Sequence, residues 1–172
     1  MNLPNFLTLL RMLMVPPVIA FFLADKAFWA LGVFLLAGFT DVLDGYLARK
    51  NGQITAFGQV MDPLADKLML LTTLICLCAT GRVPPIVPII IAMKECTMIA
   101  FAALLYRRHV VLPANLFGKL ATLLFTIAVL LSFLSDYVAP LHTIALCAAT
   151  AAAVFAMGYY GLCVFRMQLF KK

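Results

Sequence analysis

Charged residues are scarce in this sequence: they make up 12% of its 172 residues, whereas 65% are hydrophobic and the mean hydropathy is +1.08. A soluble domain carries about a quarter charged residues. So few polar side chains do not cover the surface of a water-soluble globule, and the high hydrophobic content excludes a disordered chain. Each membrane-spanning helix takes roughly 20 residues. We therefore predict an integral membrane protein in which short connections join the helices.

The sequence also lacks the features of several functional classes. Its five cysteines all lie in apolar stretches, and none forms a C-x-x-C pair, which argues against a zinc site or a dithiol redox site. No linker or low-complexity tract divides the chain, so we expect a single domain over residues 1–172. The net charge of +6 is spread between apolar runs. This pattern favours contact with anionic membrane lipid and argues against nucleic-acid binding.

Breaks in the apolar pattern predict an all-α protein of six transmembrane helices, with an amphipathic start at the N-terminus. The predicted helices cover residues 5–24, 27–48, 60–80, 84–106, 114–135 and 140–166. If both termini are cytoplasmic, seven basic residues lie in the inner segments and only Lys26 and Arg82 in the outer ones. Because basic loop residues are retained on the cytoplasmic side of a membrane, this count favours that orientation. The seven are Arg49, Lys50, Arg107, Arg108, Arg166, Lys171 and Lys172. The second helix then ends, and the third begins, at the cytoplasmic side.

Four of the seven acidic residues lie at the two ends of this second-to-third-helix hairpin. A charge toward the bilayer centre costs at least about 2.5–3.5 kcal/mol, so four together require compensation. Asp41 and Asp44 are spaced i, i+3, and Asp62 and Asp66 are spaced i, i+4, so each pair projects from one helix face. Facing pairs would form an all-oxygen site of the kind that Mg²⁺ or Mn²⁺ prefers. Two such ions would balance the four carboxylates and bind a pyrophosphate.

Small residues and an arginine accompany the carboxylates. Gly45 lies within a helix, where it costs about 1 kcal/mol relative to alanine, and Ala48 follows on the same side. Arg49 is placed to pair with a phosphate, and Gly58 gives the returning chain freedom to turn. Taken singly, the glycines would be better explained by helix packing or turn formation than by a site.

The combination is more specific than any of its members. Residues 41–66 read DVLDGYLARKNGQITAFGQVMDPLAD and fit D-x-x-D-G-x-x-A-R-x8-G-x3-D-x3-D at every fixed position. This stretch resembles the signature of the CDP-alcohol phosphatidyltransferases, and the helical pattern extends the resemblance over the whole chain. The resemblance implies a membrane enzyme that transfers a phosphatidyl group from CDP-diacylglycerol to an alcohol and releases CMP.

The resemblance also implies roles for individual residues. The first three aspartates of the signature would bind the divalent ions, and Asp66 would act as the general base and also touch a metal. The cytidine diphosphate part of the donor would lie against Gly45, Ala48, Arg49 and Gly58, and a homodimer is implied. Only the resemblance supplies the cytidine.

The N-terminal residues MNLPNFLTLLR resemble the opening of phosphatidylglycerophosphate synthases and of related cardiolipin synthases. Asn5, Thr8 and Arg11 follow one another at i, i+3 and i+6, along one side of a helix. We assign Asn5 and Thr8 to the CDP-lipid site and Arg11 to the phosphate of the acceptor. The alternative is that Asn5 caps the helix and Arg11 extends to the lipid headgroups.

An anionic acceptor requires further cations, for which the candidates are Arg107, Arg108 and Lys119. Residues 118–122 read GKLAT and resemble the G-K-x-K-T of phosphatidylglycerophosphate synthases, with Ala121 in place of the second lysine. Glycerol 3-phosphate is therefore the preferred acceptor. The alternative acceptor is phosphatidylglycerol, which would give cardiolipin.

Two further expectations concern charges inside the helices. Lys94 and Glu95 lie within an apolar run, and because adjacent positions do not share a helix face, we expect each to find a different partner. A metal-ion transporter is the alternative from another functional class, since clustered intramembrane aspartates also mark ion pathways. It predicts acids spread through several helices, whereas these cluster in one hairpin.

Overall fold

The computed structural model describes residues 3–50, 56–107 and 116–169, with side chains at 6–43, 45, 61–101 and 120–162. This part of the chain is helical and has no strand. Its helices are α1 (Leu3–Leu13), α2 (Val15–Leu23), α3 (Ala27–Lys50), α4 (Ala56–Ala79), α5 (Ile86–Arg107), α6 (Leu116–Phe133) and α7 (Ser135–Leu169). Five of the predicted helices correspond to α3–α7, and the first corresponds to α1 and α2 together.

The predicted helix 5–24 is wrong as a single element, because the chain breaks at Met14. The Met14 N–H still bonds to the carbonyl of Leu10, at 3.0 Å, and so completes α1. Pro16 and Pro17 then occupy the first turn of α2, where the missing N–H groups cost nothing. In the middle of one long helix the same two prolines would each remove a backbone hydrogen bond.

Other boundaries follow from local chemistry. Asp25, between α2 and α3, has φ 54°, a left-handed conformation that aspartate tolerates better than most residues. Gly81 follows α4 with φ 73°, where the absence of a Cβ removes the strain. Val138 interrupts the first turn of α7 with φ −128° and ψ 37°, just before Pro140. The regular part of α7 therefore begins close to the predicted start at residue 140.

The chain divides into two compact units, Met1–Gly81 and Arg82–Lys172. In the first unit, α1 and α2 each pack against both α3 and α4. Its fully buried apolar side chains include Val18, Ala30, Ala65, Leu74 and Leu77. The prediction of one domain over residues 1–172 stays a prediction.

In the second unit, α7 packs against α5 and α6. Ala128 and Val129 of α6 and Ala149 of α7 are fully buried, so small side chains let the helices approach closely. Arg82 secures the join between α6 and α7. Its Nη1 donates to the carbonyl of Phe133, at 2.7 Å, and its Nη2 lies 2.7 Å from Oδ2 of Asp136.

Many large apolar side chains point outward. Leu23 is 85% exposed and Val42 70%, and Trp29, Ile144 and Leu162 are each 66% exposed. Within the part of the chain that the structure describes, two stretches are long and apolar enough to cross a membrane, Phe6–Leu23 and Ser135–Leu162. Ala27–Leu43 and Leu120–Phe133 are shorter apolar helices. An outward apolar surface on helices of this kind indicates a membrane protein. The structure does not confirm that the spans number six.

Candidate active site

α1 reverses the amphipathic pattern of a helix on a soluble protein. Its apolar residues Phe6, Leu9 and Leu13 are exposed, whereas the side chains of Thr8 and Arg11 are buried, each with 1% exposure. Thr8 and Arg11 are one turn apart and therefore share a face. That polar face is turned into the unit, toward α3 and α4, against which α1 packs.

Arg11 pairs with Asp41 of α3. Nη1 of Arg11 lies 2.6 Å from Oδ1 of Asp41, and the side chain of Asp41 is 45% exposed. Burying an arginine costs several kcal/mol unless an anion compensates its charge, and Asp41 supplies that anion. The expectation that Arg11 extends outward to the lipid headgroups is wrong, because the pair holds it inside the unit.

Thr8 donates a hydrogen bond from Oγ1 to Oδ1 of Asp62, in α4. The Asp62 side chain is only partly buried. A hydroxyl buried in an apolar unit requires an acceptor, and a carboxylate makes the hydrogen bond stronger than a neutral one.

These two contacts bring the hairpin carboxylates together. Asp41 comes from α3 and Asp62 from α4, yet both are held by one face of α1 within a single turn. The sequence predicts that the two pairs of aspartates face each other, but not that α1 joins them. The available signal was the i, i+3 spacing of Thr8 and Arg11, since two polar residues on one face of an apolar helix require polar partners.

The other predicted site residues divide into two groups. Asp66 is exposed one turn beyond Asp62 in α4, and Gly45 is half-buried in α3. The side chains of the following lie outside the described residues: Asn5, Asp44, Ala48, Arg49, Gly58, Arg107, Arg108 and Lys119. Their assignments to the metal, the CDP-lipid and the acceptor stay predictions.

The donor set fits a hard divalent cation. Asp41 and Asp62 supply carboxylate oxygens, the ligands that Mg²⁺ and Mn²⁺ prefer. Each carboxylate has about four lone-pair positions, and α1 contacts Oδ1 in both cases. Among the described residues no group of three or more His, Cys, Asp or Glu side chains is placed to hold an ion. The two carboxylates are therefore part of a candidate site that further ligands would complete.

Lys94 and Glu95 of α5 pair with each other. Lys94 Nζ lies 2.7 Å from Glu95 Oε1, and the two side chains are 21% and 22% exposed. The expectation of separate partners is wrong in this respect, because the flexible lysine stem reaches around the helix to the neighbouring carboxylate. Each charge compensates the other in an apolar helix.

Comparison with known proteins adds the following findings. Residues 1–158 match the family model described as CDP-alcohol phosphatidyltransferase. The chain is 36% identical over 126 residues to the CDP-diacylglycerol–glycerol-3-phosphate 3-phosphatidyltransferase of Rickettsia felis, which covers 72% of this chain and 70% of the relative. It is 38% identical over 159 residues to the probable phosphatidylglycerophosphate synthase of Mycobacterium tuberculosis, covering 88% and 74%. A cardiolipin synthase (CMP-forming) / mitochondrial hydrolase fusion protein of Schizosaccharomyces pombe is 38% identical over 113 residues, covering 66% and 19%.

Proposed function

Because this chain belongs to the CDP-alcohol phosphatidyltransferase family, we propose that it transfers a phosphatidyl group from CDP-diacylglycerol to glycerol 3-phosphate, giving phosphatidylglycerophosphate and CMP. The observation that carries the proposal is the meeting of Asp41 and Asp62 against one turn of α1. These residues belong to opposite ends of the aspartate signature. The names of the Rickettsia felis and Mycobacterium tuberculosis relatives support glycerol 3-phosphate as the acceptor.

The carboxylates of Asp41, Asp44, Asp62 and Asp66 would hold the metal. Bound Mg²⁺ or Mn²⁺, of which we expect two ions, would neutralise the pyrophosphate charge of the donor. The protein contributes the positions of the carboxylates, which come from two helices and are brought to one side of α1. The exposed position of Asp66, one turn from Asp62, leaves it accessible to an acceptor.

In the reaction, Asp66 takes the proton from a hydroxyl of the acceptor. The hydroxyl oxygen forms a new bond to the lipid-bearing phosphorus. The pyrophosphate bond at that phosphorus breaks, and its electron pair leaves with CMP. Gly45, Ala48, Arg49, Gly58 and Asn5 are proposed to lie along the CDP-lipid, and Arg107, Arg108 and Lys119 near the acceptor phosphate. The contacts of Thr8 with Asp62 and of Arg11 with Asp41 support a different role for these two residues.

The site is proposed to face the cytoplasm, where glycerol 3-phosphate and CMP are soluble. The excess of basic residues in the inner segments supports this orientation in a bacterial-type cytoplasmic membrane. A homodimer is proposed on the basis of the family resemblance, and light scattering of the detergent-solubilised protein tests it.

The decisive experiment measures CMP release and identifies the lipid product. Purified protein receives CDP-diacylglycerol and Mg²⁺ or Mn²⁺, with glycerol 3-phosphate, phosphatidylglycerol, inositol phosphate or serine in parallel reactions. We expect phosphatidylglycerophosphate from glycerol 3-phosphate. Cardiolipin from phosphatidylglycerol would favour the second candidate, which the fission yeast relative supports. Ion flux without CMP release would favour the transporter.

Aspartate variants test the roles of the carboxylates. Asp62→Asn is expected to abolish activity by weakening metal binding, whereas Asp66→Asn is expected to abolish it while CDP-lipid still binds. Asp25→Asn is the matched control, because Asp25 lies in the loop between α2 and α3 and asparagine also accepts its positive φ. Full turnover by Asp66→Asn would refute the assignment of the base.

A further inference from the structure

We propose that Thr8 and Arg11 are positioning residues, which fix the carboxylates of Asp62 and Asp41 as metal ligands. α1 would thereby set the geometry of a site whose ligands lie on α3 and α4. This inference rests on the proposed function, because it assumes that the carboxylates bind a divalent ion. It assigns Arg11 a role different from direct contact with the acceptor phosphate.

The burial of the two residues is the first line of support. Both have 1% exposure, so neither presents its polar group to a substrate that arrives from outside. Asp41, in contrast, is 45% exposed. The carboxylate is thus accessible to an ion, while the guanidinium that holds it is not.

The form of the contacts is the second line of support. Arg11 and Thr8 each contact Oδ1 of a carboxylate, and a carboxylate can accept such a contact and bind a metal ion at the same time. A buried donor of this kind restricts the rotation of the carboxylate and so reduces the entropy that is lost when an ion binds. Hydrogen-bond partners of metal ligands change metal affinity by roughly 10- to 100-fold when they are removed.

Spacing is the third line of support. Thr8 and Arg11 are one helical turn apart, so the two carboxylates contact neighbouring positions on one face of α1. If α1 carried only one of these contacts, it would orient only one of the two carboxylates. The pair of contacts makes α1 a rigid spacer between two ligands.

The test is a Mn²⁺ titration of the purified protein in detergent, followed by electron paramagnetic resonance, with neither lipid donor nor acceptor present. We expect Thr8→Val and Arg11→Gln each to weaken Mn²⁺ binding about 10- to 100-fold. Thr8→Ser, which keeps the hydroxyl, is expected to remain within about threefold of the unaltered protein. The KM for glycerol 3-phosphate at saturating Mn²⁺ is expected to stay within about twofold.

Two matched controls come from the second unit. Thr97→Val removes a hydroxyl that donates to the carbonyl of Met93 in its own helix, at 2.7 Å. Arg82→Gln removes an arginine that also pairs with an aspartate. Neither control is expected to change Mn²⁺ affinity. Arg11→Lys keeps the positive charge and replaces Arg11→Gln in the titration if that variant does not fold. Its Mn²⁺ affinity is expected to fall by less than about 10-fold.

The outcomes separate this inference from the proposed function. Unchanged Mn²⁺ affinity in Thr8→Val and Arg11→Gln would overturn the positioning role. Unchanged Mn²⁺ affinity with a raised KM for glycerol 3-phosphate in Arg11→Gln would instead place Arg11 at the acceptor. Failure of the unaltered protein to release CMP with any acceptor would overturn the proposed function, whatever the variants bind.

Discussion

In the Arg11–Asp41 pair, removing Asp41 is expected to destabilise the protein more than removing Arg11. Arg11 has 1% exposure and Asp41 45%, so the two charges lie in different surroundings. Asp41→Ala removes a carboxylate that compensates the charge of a buried guanidinium. Arg11→Met leaves a carboxylate that water already reaches, and it fills the buried space with an unbranched apolar side chain.

The magnitudes follow from burial. Removing one partner of a fully buried pair costs about 3–5 kcal/mol, whereas an exposed pair contributes about 0.2–1 kcal/mol. Because solvent screens the exposed part of Asp41, we expect Asp41→Ala to cost about 2–3 kcal/mol. Arg11→Met is expected to cost about 0–1 kcal/mol. The double variant is expected to resemble Arg11→Met, since no charge is then left uncompensated in the interior.

Thermal unfolding in detergent, with EDTA present so that no metal contributes, measures the difference. The reaction of Cys76 and Cys78 with a thiol-sensitive dye reports unfolding, because both are half-buried free thiols. Cys96 and Cys147 are exposed, so their reaction with the dye sets the baseline. For a chain of this size, 1 kcal/mol corresponds to about 2–4 °C in Tm, so Asp41→Ala is expected to lower Tm by roughly 5–10 °C. Equal effects of the two single variants, or a double variant as unstable as the sum of both, would refute the reasoning.

Three further predictions concern positions outside the carboxylate site. Arg82→Ala should lower the unfolding free energy by about 1–2 kcal/mol. Asp136→Asn should lower it by less than about 1 kcal/mol, because Asp136 is 65% exposed, and thermal unfolding of both variants compares the two losses. Gly81→Ala should cost about 1–2 kcal/mol through its φ of 73°, since no non-neighbouring atom of the described residues lies within 4 Å of the added Cβ. An unchanged Tm would contradict this. Thr73→Val should raise Tm by about 2–4 °C, because Thr73 is fully buried and its hydroxyl has no hydrogen-bond partner among the described residues; a lower Tm would show that the hydroxyl is bonded.

Helix positions in this chain could be predicted well because the apolar runs are long and their breaks are chemically distinct. The loop at Asp25 and Lys26 and the turn at Gly81 both fall where the sequence places them. The break at Met14 was missed because hydropathy continues through it unchanged. Only the backbone chemistry of Pro16 and Pro17 separates α1 from α2, and that chemistry is invisible to an average over apolar residues.

The candidate site shows a similar division. The signature and its spacing identify Asp41 and Asp62 from sequence, because carboxylates in an apolar hairpin are costly and therefore conspicuous. The partners of those carboxylates could not be assigned, since they depend on which face of α1 turns inward. Lys94 and Glu95 illustrate the same limit: a flexible side chain reaches a neighbour that ideal helix geometry places on another face.

The arrangement of α1 explains how a chain with so few charges can concentrate them at one site. In an apolar unit, a buried arginine and a buried threonine are stable only with polar partners, and the hairpin aspartates are stable only with donors or cations. Each group therefore satisfies the requirement of the other, and the pairing orients α1 relative to α3 and α4. An ion that binds the carboxylates would meet ligands already fixed by this pairing. The same contacts that permit charge in an apolar interior thus prepare the carboxylates for the chemistry proposed for them.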